Sequence, residues 1–439
     1  MTDGTGDRLP GAGAGRRIGG AYRVHAFFVA VVTLFFLQDI VNIVLLHAGL
    51  GSAVPMMSAL KEALVLAFCA IYLAANLRRL RFQPGSLALA LVLAAIFTLY
   101  IAIGLTRFPA IGVAYELRTL AMPLMLMLAG WMYGDAVRRR TELANRLVRL
   151  YVGLCVVVAL SAFIDYAFLG DDFWTAVNLG ELERVKGYEG VAIGALPDNM
   201  YSFYFGRRAF GLAFNPLNLA YVLVPAVVIA WCRRRWLLFA VLATAMVLSW
   251  SRQPIVATAA VLAASMLAPL ALVALALLAS PVAAWYLQVV YLELVNDPSA
   301  LGHFATVAIG LAGIVASPLG YGIGAAGVFA GAYSTLSVES VFLNVANQIG
   351  LPGLALYVAV LAAGLRRAGP LARELRLMAA IYAITAFLSP HVLTIKSTFG
   401  FFLFLGMNLA LPHIPAHVRR ARNAPGGLGF ATASAGSAH

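Results

Sequence analysis

The sequence predicts an all-α, polytopic integral membrane protein with about 12 transmembrane helices. Of its 439 residues, 62% are hydrophobic and only 11% are charged, whereas soluble proteins carry roughly 25% charged residues. The apolar residues form continuous runs of about 20, the length of a helix that crosses the bilayer core. Most arginines lie in the short polar segments between these runs. We therefore expect a helical domain whose solvent is largely lipid.

The apolar runs predict twelve spans. They cover approximately residues 26–48, 57–77, 85–105, 113–134, 148–169, 211–231, 236–250, 254–268, 270–289, 341–364, 375–390 and 398–411. Only Pro269 separates the eighth span from the ninth, and counting both places every arginine-rich loop on one side of the membrane. That side then carries 22 Lys and Arg, against 7 on the other side and two within spans. By the positive-inside rule, the first side and both termini are expected to be cytoplasmic.

This topology gives one transmembrane domain, residues 24–412. A disordered cytoplasmic tail, 1–23, precedes it, and a second cytoplasmic tail, 413–439, follows it. Two longer segments, about 170–210 and about 290–340, are expected on the opposite side of the membrane. Long water-facing connections often carry function, so we expect the chemistry there.

Several other classes of protein are excluded. The apolar runs are continuous rather than alternating, which excludes a transmembrane β-barrel. Cys69, Cys155 and Cys232 lie within apolar segments, so their spacing indicates neither a disulfide framework nor a zinc site. The net charge of +13 comes mostly from arginines that flank apolar runs. It is explained by membrane topology, and no nucleic-acid partner is expected.

Two groups of charged residues fall inside predicted spans, Lys61 with Glu62 and Glu116 with Arg118. Such charges cost about 2.5 to 3.5 kcal/mol on insertion scales and are therefore candidates for function. Lys61 and Arg118 are possible substrate-binding residues. The alternative is that each charge finds a partner across the helix bundle without touching substrate.

Arg207 and Arg208 lie on the predicted outer side and precede the run from Ala209 to Asn218. Two arginines there run against the positive-inside trend, which favours an anionic ligand, and Arg207 is a possible substrate-binding residue. The alternative is that one arginine only anchors the membrane interface. Within the run, Gly211 permits close helix approach, and Pro216 frees a backbone carbonyl.

Arg252 lies between two spans, in the sequence Ser-Trp-Ser-Arg-Gln-Pro. A guanidinium there has little water and needs an anion or carbonyl groups. Its planar fork suits a phosphate, and two such forks, Arg208 and Arg252, suit a pyrophosphate. The alternative for Arg252 is a salt bridge to a carboxylate of an outer loop.

Glu339 precedes the span that begins near residue 341. A carboxylate there can accept a proton from an alcohol as a general base. The alternative is an acid favoured by the helix dipole. The glycine-rich segment Ser317 to Gly324, further upstream, lacks the Gly-Lys-Ser/Thr ending of a phosphate loop, so that interpretation is rejected.

These motifs together resemble the O-antigen ligase and polymerase superfamily, the membrane glycosyltransferases of bacterial surface polysaccharides. The resemblance rests on four features and covers roughly residues 60–410. They are Arg208-Ala-Phe-Gly followed by Asn-Pro-Leu-Asn, Ser251-Arg252 at a span end, the glycines from Gly320 to Gly324, and the acidic site before Gly350-Leu-Pro-Gly353.

The resemblance implies a C-type (GT-C-like) glycosyltransferase architecture in the bacterial inner membrane, with a periplasmic site and a donor sugar on undecaprenyl pyrophosphate. Arg208 and Arg252 match the pyrophosphate-binding arginines of the family. The ligase branch has a His where this chain has Glu339, a departure that favours a polymerase of O-antigen or exopolysaccharide repeat units. Expected partners are the lipid-linked oligosaccharide, membrane lipid, a chain-length regulator and a flippase.

The expected reaction needs neither a metal nor a cofactor, because pyrophosphate is a good leaving group and arginines can hold its charge. Two rivals stay open. One is an O-antigen ligase that moves glycan onto lipid A core. The other is a transporter of lipid-linked oligosaccharide or a small anion, although its usual internal repeat is not visible in the sequence.

Overall fold

The computed structural model describes residues 12–76, 84–185, 196–197, 200–202, 206–267, 298–327, 330, 334, 336, 338–366, 369–387, 389 and 395–411. Over these residues the chain is almost entirely helical, with fourteen α-helices and one short antiparallel β-hairpin. An all-α protein is what the continuous apolar runs predict.

The helices follow one another with mostly short connections. The first seven are α1 (Ala12–His47), α2 (Val54–Asn76), α3 (Pro84–Arg107), α4 (Ala110–Ala136), α5 (Thr141–Phe168), α6 (Asp171–Ala176) and α7 (Leu179–Val185). The hairpin pairs β1 (Tyr201–Ser202) with β2 (Gly206–Arg207). The remaining helices are α8 (Pro216–Cys232), α9 (Trp236–Leu248), α10 (Arg252–Ala264), α11 (Pro298–Ala316), α12 (Val341–Arg366), α13 (Ala372–Ala386) and α14 (Ile395–Ala410).

Eleven of the twelve predicted spans coincide with a helix, and the ninth, 270–289, lies outside the described residues. Among the described residues, five helical segments are both long and apolar enough to cross a bilayer. They are Gly20–His47, Gly51–Asn76, Ala110–Ala136, Thr141–Phe168 and Val341–Arg366. The chain is therefore an all-α protein built for a membrane, and the total of twelve spans stays a prediction.

Helical structure extends into two segments that the sequence analysis treats as tail or loop. Helix α1 begins at Ala12, inside the predicted tail 1–23, and α11 occupies residues 298–316 of the outer segment 290–340. The second half of α11, Ala305–Ala316, is strongly apolar. The predicted tail 413–439 lies outside the described residues.

Helices α4 and α14 approach each other most closely through glycines. A Cβ atom added at Gly130 would collide with the Leu403 carbonyl, and one at Gly134 would lie 2.7 Å from the Met407 carbonyl oxygen. From the other side, a Cβ at Gly406 would collide with the Met127 carbonyl. Small residues four apart allow this backbone approach, which drives helix association where lipid removes the hydrophobic driving force.

Helix α8 lies at the centre of the bundle. Every residue from Leu219 to Ala230 is buried, and a helix that is apolar on all sides needs protein neighbours on all sides. Helices α5, α9, α10, α13 and α14 supply them. The Tyr151 hydroxyl of α5 donates to the Val222 carbonyl (2.7 Å), and the Tyr382 hydroxyl of α13 donates to the Tyr221 carbonyl (3.1 Å).

Candidate functional site

Hydrogen bonds show which helix ends lie together. Ser251, just before α10, donates from its hydroxyl to the Pro216 carbonyl at the start of α8 (3.2 Å). Tyr382, near the end of α13, bonds to α8 close to that same start. Ser340, just before α12, donates to the Ala386 carbonyl at the end of α13 (3.3 Å). The starts of α8, α10 and α12 and the end of α13 therefore meet at one end of the bundle, called here the outer end.

A fully buried carboxylate, Asp165 of α5, anchors the arginine-bearing segment at the outer end. One of its oxygens accepts the backbone N–H groups of Phe210 (2.8 Å) and Gly211 (2.9 Å). The other accepts the indole N–H of Trp174 (2.7 Å) and an N–H of the Arg207 guanidinium. The four donors hold the Asp165 carboxylate in place and fix the backbone just after Arg208.

Arg207 is held by partners within the protein. Its guanidinium pairs with Asp165 and lies 3.0 Å from the carboxylate of Asp171. It also donates to the backbone carbonyls of Asp165 and Leu169. These contacts hold the Arg207 side chain within the protein, and its role as a possible substrate-binding residue stays a prediction.

Gly211 lets the same segment press against α5. Its φ is +45°, and a Cβ there would lie 2.5 Å from the Ser161 hydroxyl and 2.6 Å from the Ala162 nitrogen. Both the backbone conformation and the space exclude a side chain. The predicted close approach at Gly211 is confirmed.

Arg208 enters a cradle formed by the turn between α9 and α10. Its Nε donates to the Ser249 carbonyl (2.8 Å), and one terminal nitrogen donates to the Ser251 hydroxyl (2.7 Å). Both serines are buried. Between them, Trp250 has φ 49°, a left-handed conformation that is rare for a bulky residue. These two hydrogen bonds hold one edge of the Arg208 guanidinium and fix its orientation.

Arg208 and Arg252 lie at the same turn, because the Arg208 guanidinium donates to the Ser251 hydroxyl and Arg252 follows Ser251 in the chain. Burial and then the nearby charge of Arg252 lower the pKa of Arg208 to about 10, so the guanidinium stays charged at neutral pH. Arg252 itself is exposed as the first residue of α10. Two cations at one turn favour the binding of an anion there.

Glu339 lies at the same end of the bundle. It directly precedes Ser340, which is bonded to the end of α13, and its side chain is half-buried. Helix α12 begins at Val341 and has no acidic residue in its first turn, so Glu339 stands outside the helix proper. The structure thus places the predicted acid and the two predicted arginines at one end.

Lys61 of α2 and Arg118 of α4 both contact the Glu62 carboxylate of α2. The Arg118 guanidinium donates two hydrogen bonds to the Glu62 carboxylate, both at 2.5 Å. The Lys61 ammonium donates to the Ser58 carbonyl (2.7 Å) and lies 3.6 Å from Glu62. Arg118 thus pairs with a carboxylate on another helix, whereas Ser58 and Glu62, which Lys61 contacts, lie on its own helix α2.

Glu116 lies beside Gln348 of α12 and close to Gly327. The Gln348 amide of α12 donates to the Glu116 carboxylate (3.3 Å) and to the Ala326 carbonyl (2.9 Å). Helix α12 is broken at Gly350, whose φ is 74°, and the segment after α11 packs into this break. A helix, not a strand, precedes the segment, which agrees with rejecting a phosphate loop.

Three charged residues with partners across the outer half of the bundle were not among the predicted site residues. Besides Asp165, they are Asp39 of α1 and Lys396 of α14, which form an ion pair. Lys396 also donates to the Ala213 carbonyl (2.8 Å) and so connects α14 to the segment between Arg208 and α8. All three fall in or beside apolar runs, and the rule that singled out Lys61 would have found Asp39 and Asp165.

Among the described residues, no three His, Cys, Asp or Glu side chains converge on a position for a metal ion. No family model, curated protein or solved structure matches the chain.

Proposed function

We propose that the protein is a glycosyltransferase that polymerises oligosaccharide repeat units carried on undecaprenyl pyrophosphate. It works at the periplasmic face of a bacterial inner membrane, with both termini in the cytoplasm. The product is an O-antigen or an exopolysaccharide. The architecture proposed is of the GT-C type, with twelve spans.

One observation carries the proposal, the pairing of Arg208 and Arg252 at the outer end. Arg208 is fixed by the Ser249 carbonyl and the Ser251 hydroxyl, and its pKa is lowered by burial and by Arg252. Two guanidinium groups at one turn favour a ligand with two negative groups. The two phosphates of a lipid pyrophosphate meet that demand at the membrane surface.

The chemistry follows from these charges. The acceptor hydroxyl attacks the anomeric carbon of the donor sugar while the bond from that carbon to the pyrophosphate oxygen breaks. The pyrophosphate leaves with the electron pair, and the arginines hold the charge that develops on it. Glu339, at the same end of the bundle, takes the proton of the hydroxyl as general base. Attack from the face opposite the leaving group inverts the anomeric centre.

A second candidate is a transporter of lipid-linked oligosaccharide, and the break in α12 favours it. Broken helices often bind the cargo of transporters near the middle of the membrane. Here, however, the break at Gly350 packs against the glycine-rich segment Ser317–Gly324, and Gln348 beside it accepts the Gly324 N–H. The paired arginines lie instead at the outer end. A site at one end suits an enzyme better than a carrier.

A deletion strain tests the proposal. Loss of a polymerase should leave single repeat units on the surface or on the carrier lipid, with no longer polymer. Loss of a ligase would instead leave long polymer on the carrier lipid, and loss of a flippase would leave single units on the cytoplasmic leaflet. Either of the last two outcomes would contradict the proposal.

A further inference from the structure

The hydroxyl of Ser251 links the two arginines to the central helix. It accepts a hydrogen bond from Arg208 (2.7 Å) and donates one to the Pro216 carbonyl (3.2 Å). Its side chain is buried, with 1% of the residue exposed, and Arg252 follows it directly in the chain. Ser251 therefore contacts Arg208 through its hydroxyl and is joined to Arg252 through the backbone.

The hydroxyl is also matched to its two partners. A serine oxygen can accept from a guanidinium while its own hydrogen goes to a carbonyl. Proline at position 216 supplies such a carbonyl at the first turn of α8. The Ser251 backbone N–H is 3.2 Å from the Ser249 hydroxyl, which itself donates to the Met246 carbonyl (2.6 Å). The turn is therefore braced on both sides of Trp250.

We propose that Ser251 is a positioning residue that holds the Arg208 guanidinium toward Arg252, so that both face one pyrophosphate. The inference rests on the proposed function. Arg208 and Arg252 repel each other when no anion is bound, and a long side chain relieves such repulsion by rotating away. The Ser251 hydroxyl opposes that rotation, so the free protein keeps the two forks ready for the donor.

The inference predicts that Ser251 acts on the ligand through Arg208. Alanine at position 251 removes the bond to Arg208 but leaves both arginines in place. We expect binding of undecaprenyl pyrophosphate to weaken about tenfold, the usual effect of losing one hydrogen bond to a charged group. In an Arg208→Ala background, the same change should cost almost nothing more, because its effect has already been lost.

The experiment is a double-mutant cycle on the purified full-length protein in detergent, with undecaprenyl pyrophosphate as the probe. The four forms are wild type, Ser251→Ala, Arg208→Ala and the double variant. Thr258→Val is the matched control. It removes a buried hydroxyl of α10 that has no hydrogen-bond partner among the described residues. Its affinity should stay within about twofold of wild type, since no hydrogen bond is lost. Thermal unfolding of each form checks that it is folded.

The outcomes separate the two levels of the argument. The positioning role is supported if Ser251→Ala binds the probe more weakly than wild type and the double variant binds it with the same affinity as Arg208→Ala. Wild-type affinity in Ser251→Ala, or equal losses from Ser251→Ala in both backgrounds, would overturn that role and leave the pyrophosphate site standing. Failure of the wild-type protein to bind the probe would overturn the proposed function itself.

Discussion

Replacing Asp165 with asparagine should strongly destabilise the protein. The carboxylate accepts from four donors, two on each oxygen. Asparagine has one acceptor oxygen and one NH₂ group in the same shape. If the asparagine oxygen still accepts the backbone N–H groups of Phe210 and Gly211, its NH₂ group faces the indole N–H of Trp174 and the Arg207 guanidinium. An NH₂ group cannot accept a hydrogen bond from either of these donors. Two hydrogen bonds to a charged group are then lost.

The expected cost follows from these contacts. Each hydrogen bond to a charged group contributes about 1.5 to 3 kcal/mol, and removing one partner of a buried ion pair costs about 3 to 5 kcal/mol. Arg207 keeps Asp171 and two backbone carbonyls, so its charge retains some compensation. We therefore expect the free energy of unfolding to fall by about 3 kcal/mol, near the lower end of that range.

Asp171→Asn provides the matched control, because it removes the other carboxylate that pairs with Arg207. The Asp171 side chain is 46% exposed, and exposed ion pairs contribute under about 1 kcal/mol. Unfolding of both variants can be followed by tryptophan fluorescence during titration of detergent micelles with sodium dodecyl sulfate. An Asp165→Asn variant within about 1 kcal/mol of wild type, or no more affected than Asp171→Asn, would refute the account of this centre.

Three further predictions concern the outer end. Arg252→Lys and Arg208→Ala should each slow polymerisation by roughly one to two decades, since neither lysine nor alanine can form two parallel hydrogen bonds to a phosphate. Near-normal polymer from normally expressed variants would argue against pyrophosphate binding by these arginines. Glu339→Gln should lower turnover roughly 10² to 10⁴-fold while donor binding survives, and Glu339→Asp should keep partial activity; full elongation by the glutamine variant, measured beside binding, removes the base. Gly211→Ala should destabilise the protein far more than Gly206→Ala in thermal unfolding, because both have positive φ but only Gly211 meets α5; equal shifts contradict the steric argument.

Much of the fold could be predicted because lipid leaves few choices. An apolar run of about 20 residues must be a helix in a bilayer, since each backbone group needs its partner within the segment. Eleven of the twelve predicted spans therefore coincide with a helix. Helix α11 was not predicted, because Ser299, Gly302 and His303 interrupt the apolar run, and the apolar part from Ala305 is too short to cross.

The candidate site could be predicted only in part. Rules for single charges found Arg208, Arg252 and Glu339, since each stands where a charge is costly or unusual. Pairings across the fold were not visible, because they depend on which helix ends meet. Asp165 was overlooked within a long apolar run, and Ser251 became important only when the α9–α10 turn placed its hydroxyl beside Arg208.

Elongation by the purified protein tests the central claim most directly. The wild-type chain in detergent, given only a lipid-linked repeat unit, should convert it into a ladder of longer lipid-linked oligosaccharides and release undecaprenyl pyrophosphate. Arg252→Lys should produce this ladder at a rate lower by roughly one to two decades, at equal protein and with unchanged folding. A wild-type protein that binds the lipid-linked unit but never lengthens it would contradict the claim that the paired arginines serve glycosyl transfer.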